Sequence, residues 1–185
     1  MNEEIKYLDN CYEEIPITNK NFNYIAQYGW QKFFGDDTYT FGYINSYKMA
    51  GDTLVDKMIP DLLIYPIMFC YRHYLEQLLK NICRKHMKRK EYRDFIFSTS
   101  HNLSKIWEGA KKYLQENNLG DNIKFIHEMV CWYNRRDPDS FVFRYETDKK
   151  NRKSIKEDTL SIDTLALKEN IEKVDMILRY TYDSI

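Results

Sequence analysis

The chain has no excess charge of either sign: 28 Lys and Arg offset 28 Asp and Glu among its 185 residues. That balance excludes a global field drawing the protein to DNA, an anionic membrane or acidic partners, so any nucleic-acid contact must come from a local patch. Cysteine is scarce, and Cys11, Cys70, Cys83 and Cys131 form no C-x-x-C pair. Neither a zinc site nor a disulfide framework is indicated, and three of the four lie in apolar helical patterns where a thiol acts as a small hydrophobe. A long apolar run is also missing. Leu62 to Tyr71 is interrupted by Pro66 and ends at Arg72, too short for a bilayer span. The opening MNEEIKYLDN is charged and lacks the apolar stretch of a signal peptide. A soluble, cytoplasmic protein with no membrane contact is expected. No Gly-rich phosphate loop, H-E-x-x-H or G-x-S-x-G occurs, so redox, zinc-hydrolase and nucleotide-triphosphatase readings have no support and neither cofactor nor metal is expected.

Aromatic residues are what the chain has in abundance, 16% of the total with 16 Tyr, which implies dense packing or stacking surfaces. Residues 1–40 show no clean period and read as an irregular aromatic-rich arm. In residues 41–185, apolar spacing predicts helices over about 43–58, 61–88, 102–117, 121–135 and 163–182. Pro60 stops the first, Asp61 opens the second as N-cap or first-turn acid, and Asp121 and Asp163 cap the fourth and last. A polar loop holding Ser98, Thr99 and Ser100 leads into the third. Asp137-Pro138-Asp139 breaks the helical pattern. In FVFRYE, Phe141, Phe143 and Tyr145 alternate as in a strand, and with the run TLSID they suggest a hairpin at about 141–162. The expected fold class is all-α, a helical bundle with one small β-hairpin.

The stretch YRHYLEQLLK, residues 71–80, places charge in the middle of the most apolar part of the chain. On a helix, Arg72, Glu76, Lys80 and His73 lie at about 0°, 40°, 80° and 100° around the axis. They share one stripe, and Arg72–Glu76 and Glu76–Lys80 are i,i+4 pairs. Two readings follow. The stripe is a solvated face or an internal salt-bridge ladder; or it is a phosphate-handling site, with Arg72 and Lys80 as anion contacts, His73 as acid or base and Glu76 as partner. His101 and Asn102 stand at a helix start, where backbone N–H groups attract anions. They fix the loop, or His101 supplies a second titrating group. Arg144, flanked by apolar neighbours, points outward or toward an acid. His86 lies in a basic helix end. The runs Arg84 to Arg93 and Lys149 to Lys156 are either solvated surface or local RNA-contact patches.

YRHYLEQLLK, SHNLSKIW at 100–107 and DPDSFVFRYETDKK at 137–150, in this order, resemble a bacterial group of small HEPN-like proteins. The resemblance implies a helical bundle, often homodimeric, that binds RNA or nucleotides or cleaves RNA without metal, in phage defence or toxin–antitoxin systems. An antitoxin or other protein partner is implied with it. The family's catalytic signature is an Arg, often followed by Asn, Asp or His, with a His after about four to six intervening residues. Arg72-His73 matches its opening. The closing His is absent, since positions 77, 78 and 79 are Gln, Leu and Leu, while Lys80 to His86 keeps the spacing with Lys in place of Arg. On these residues the expected catalytic set is Arg72, His73, Glu76 and His101, and the phosphate-binding set is Lys80, His86, Asn102 and Arg144. The rival reading is a non-catalytic protein-interaction module whose polar stripe is structural.

Overall fold

The computed structural model describes residues 36–116, 121–148, 150–155 and 161–183. Nearly all of the arm expected at 1–40 lies outside them. Six helices form the described part: α1 (Asp36–Val55), α2 (Pro60–His86), α3 (Arg89–Thr99), α4 (Leu103–Glu116), α5 (Asp121–Arg136) and α6 (Thr164–Asp183). Among the described residues no helix is long and apolar enough to cross a membrane.

Helix α2 is the axis of the body. It packs against α3, α4 and α6, and α4 in turn packs against α5. Pro60 sits in its first turn, where the missing N–H costs nothing, Asp61 is the first-turn acid, and the helix continues through Pro66. Tyr71, Tyr74, Leu75, Leu79 and Cys83 of α2 are buried against Trp107 and Leu114 of α4 and Ile171 and Val174 of α6. Burial pushes the Cys83 thiol up to about 12, so it stays protonated and behaves as packing.

Two close approaches fix the outer helices. A Cβ at Gly51 of α1 would lie 2.5 Å from the Tyr71 ring, and one at Gly109 of α4 would run into the ring of Phe95 of α3. Tyr71 also donates to Asp52 of α1 at 2.8 Å, while Lys48 bonds the other oxygen of that carboxylate at 2.7 Å. Helix α6 starts as its sequence demands, with Asp163 Oδ1 accepting the amides of Leu165 and Ala166.

Two expectations need correction. Much of the segment before α4 is a full helix, α3, which the basic composition of RKEYRDFIFST hides and which takes in Ser98 and Thr99 of the expected loop; Tyr92 and Phe95 pack on the core, Thr99 is buried, and Phe97 is fully displayed. The strand expected at 141–146 is absent. Asp137 Oδ1 takes the amides of Phe141 and Val142, and the amides of Arg144 and Tyr145 turn back to the Phe141 carbonyl. With those donors committed, an extended ladder cannot form. Phe141 and Tyr145 then lie on the same side, with ring centroids 4.7 Å apart. What remains of the hairpin is a single antiparallel bridge, Thr147 to Lys153, closed by Arg152 on Asp148. Part of the second expected strand lies outside the described residues, and Ser161 and Ile162 are not in a strand.

Candidate functional site

The stripe on α2 is buried, so the salt-bridge ladder is what forms. Arg72 and Glu76 are 0% exposed and Lys80 is 9% exposed. Arg72 Nη1 donates to Glu76 Oε2 at 2.8 Å, and Lys80 Nζ donates to Glu76 Oε1 at 2.7 Å. The rest of the guanidinium is taken by main chain: Nε donates to the Asp137 carbonyl at 2.7 Å, and Nη2 to the carbonyls of His101 at 2.8 Å and Pro138 at 3.2 Å. Arg72 therefore ties α2 to the segment before α4 and to the loop after α5. A buried guanidinium needs such saturation, because an unpaired ion there costs several kcal/mol.

The two loops that offer these carbonyls are strained. Ser100 and Ser140 both have positive φ, 49° and 57°, a region where a non-glycine residue costs about 1–3 kcal/mol. Ser100 directly precedes His101, and Ser140 lies two residues after Pro138, whose carbonyls both accept from Arg72. Asp137 is buried here as well, its Oδ2 lying 3.4 Å from Arg72 Nε without a hydrogen bond. The sequence shows Asp137 as a helix breaker. Its second role, an acid capping the turn under Arg72, is signalled only by its position directly before Pro138 and two amides it can reach.

His101 completes the cluster at the surface. Its Nδ1 lies 2.9 Å from Glu76 Oε1, and its side chain is 49% exposed. Burial raises the Glu76 carboxyl, but hydrogen bonds from Lys80, His101 and Arg72 outweigh it and hold its pKa below the ordinary value. Glu76 is thus a carboxylate and can only accept, so His101 Nδ1 carries the proton and neutral His101 keeps its Nε2 lone pair unprotonated.

The remaining expected residues do not join this hydrogen-bonded cluster. His73 is on α2 but turns into an aromatic box, with ring centroids 4.3 Å from Tyr47, 5.5 Å from Phe69 and 6.4 Å from Tyr43. Its Nε2 is buried without a hydrogen-bond partner. Burial lowers its pKa to about 4 despite the pull of Glu76, so its imidazole is neutral at pH 7. Asn102 caps α4, its Oδ1 accepting the Lys105 amide at 3.0 Å. His86 is stacked on Tyr113 at 4.4 Å; six residues beyond Lys80, it is turned by about 240° around the helix. Arg144 is exposed, reaches no acid among the described residues, and donates through Nε to the Ser140 carbonyl. His127, outside the cluster, accepts from Trp107 Nε1 at 3.0 Å. Among the described residues no group of His, Cys, Asp and Glu is arranged to hold a metal.

The structure brings together Arg72, Glu76, Lys80 and His101, three from one helix and one from a loop 25 residues after Glu76. Chemically the arrangement is a carboxylate–imidazole pair with a lysine on the same carboxylate oxygen, opening to solvent chiefly through His101. Compared with known proteins, the chain matches no protein-family model, no curated protein and no solved structure.

Proposed function

We propose that this chain is a HEPN-like domain that acts on RNA through His101, as a metal-independent ribonuclease of the phage-defence or toxin–antitoxin kind. The observation that carries this reading is the His101–Glu76 contact: a half-exposed imidazole held at Nδ1 by a fully buried carboxylate. Such a pair fixes the tautomer and stabilises the imidazolium when Nε2 takes a proton. In RNA cleavage that proton comes from the 2′-hydroxyl, whose oxygen then attacks the adjacent phosphorus to form a 2′,3′-cyclic phosphate and expels the 5′-oxygen, which leaves as a hydroxyl on taking a proton from the imidazolium or from water. Lys80, with one proton engaged by Glu76, supplies positive charge beside the imidazole. Arg72 serves as a positioning residue, setting Glu76 and the His101 backbone. The family resemblance implies a homodimer and a protein partner for such a domain.

A second reading is favoured by a specific observation, the saturation of Arg72 by internal bonds. It makes the stripe structural and the chain a non-catalytic interaction module. Incubation of purified protein with RNA in EDTA separates the two. The ribonuclease reading expects cleavage that His101→Asn lowers by about two to four orders of magnitude, with the thermal melt changed little because His101 is half-exposed. Absence of cleavage by the unaltered protein, or full activity in His101→Asn, overturns it and leaves the interaction module.

A further inference from the structure

A groove of about 490 Å3 runs between Tyr65 on α2 and the loop residues from Val142 to Ile155. Tyr65, Phe143, Arg144, Tyr145, Glu146 and Lys153 line it. Tyr65 is 49% exposed and Tyr145, one side of which packs on Phe141, is 50% exposed. Arg144 is preset. Its Nε is held by the Ser140 carbonyl, and its guanidinium lies 5.5 Å from the Tyr145 ring centroid and 5.8 Å from that of Phe69. Its terminal amines, and the ammonium of Lys153, bond no protein atom among the described residues. An arginine fixed at Nε with both amines open is preorganised to grip phosphate with two parallel bonds. The Glu146 carboxylate in the same groove repels phosphate but accepts hydrogen bonds from exocyclic base amines.

We infer that this groove binds a nucleotide unit of a single RNA strand, with its base on Tyr145 and Tyr65 and its phosphate on Arg144 and Lys153. Exposed aromatic faces interleaved with unpaired cations are the chemistry of single-strand binding, in which unstacked bases lie on rings and cations follow the backbone. A duplex offers no free base face. The choice of RNA rests on the ribonuclease reading above; the stacking and phosphate chemistry of the groove does not.

The test is fluorescence anisotropy at low salt, using a labelled single strand of about 12 nucleotides, within the usual site size, a duplex of the same length, and AMP. The strand is expected to bind more tightly than either. Tyr145→Ala should weaken it about tenfold, in the range found when one stacking ring is removed. Arg144→Ala should weaken it similarly and reduce the salt slope by about 1, Arg144→Lys should recover part of the loss, and Lys153→Glu should abolish binding. Circular dichroism melts confirm that each variant is folded. Unchanged affinity in the Arg144 and Tyr145 variants, equal binding of the duplex, AMP as tight as the strand, or no strand binding each overturn the inference. His101→Asn keeps the two proposals apart. Strand binding lost only in groove variants, with no cleavage by any protein, overturns the ribonuclease alone. Cleavage whose KM is untouched by Arg144→Ala overturns the groove alone.

Discussion

Arg72 and Arg144 both donate to carbonyls of the same short loop, Arg72 to Asp137 and Pro138 and Arg144 to Ser140. They end in opposite states. Arg72 is fully buried and spends donors on four acceptors from three parts of the chain; Arg144 is exposed, donates through Nε to one carbonyl and lines a groove. The difference teaches that an arginine serves a ligand only with donors the fold has not already used. Residue type and motif position are the same kind of signal for both, and burial together with the count of satisfied donors separates them.

The comparison breaks most visibly at Arg72. Arg72→Ala leaves the Glu76 carboxylate with Lys80 and His101 alone and strips partners from three carbonyls, so unfolding stability should fall by about 3–5 kcal/mol, the usual cost of breaking a buried pair. Urea denaturation measures it; a loss below about 1 kcal/mol would mean that the loops are held by something other than this guanidinium.

His73 offers a smaller, pH-dependent effect next to the same network. Tyr43 and Tyr47 face it from α1, Phe69, Arg72, Glu76 and Lys80 from α2, and His101 from the segment before α4. Its pKa is about 4 in the folded chain against an ordinary 6.5. As pH falls below 6.5 the unfolded chain takes up the proton first, so this group's contribution to stability declines down to about pH 4 and is constant below. Thermal melts across that window should show the decline, and His73→Phe should flatten it. A slope identical in the variant would assign the decline to other groups.

The smallest effect belongs to Arg144. Because it is exposed and makes one main-chain bond, Arg144→Ala should change stability by no more than about 0.5 kcal/mol, however much it weakens strand binding. A loss comparable with that of Arg72→Ala would erase the distinction between the two arginines.

Much of this was legible in the chain. The 3.6-residue period located five of the six helices, since burial of one face is what such spacing encodes, and the pairing of Arg72, Glu76 and Lys80 followed from their i,i+4 positions. Helix α3 was hidden because its charged surface faces water and only a few side chains anchor it. The 141–146 strand was misread for another reason: the alternation of Phe141, Phe143 and Tyr145 was real, but Asp137 claimed the amides that a strand would have paired.

What the sequence by itself determined is local: where helices run, which residues share a face, and that charge would be balanced in pairs along α2. Tertiary structure decided the rest, because burial and donor saturation depend on groups far apart in the chain. It sealed Arg72 under carbonyls from His101, Asp137 and Pro138, turned His73 into an aromatic box, and left His101 on Glu76 at the surface. Those positions come from loops closing over a helix, and no periodicity along a single helix records which carbonyl will reach its side chains.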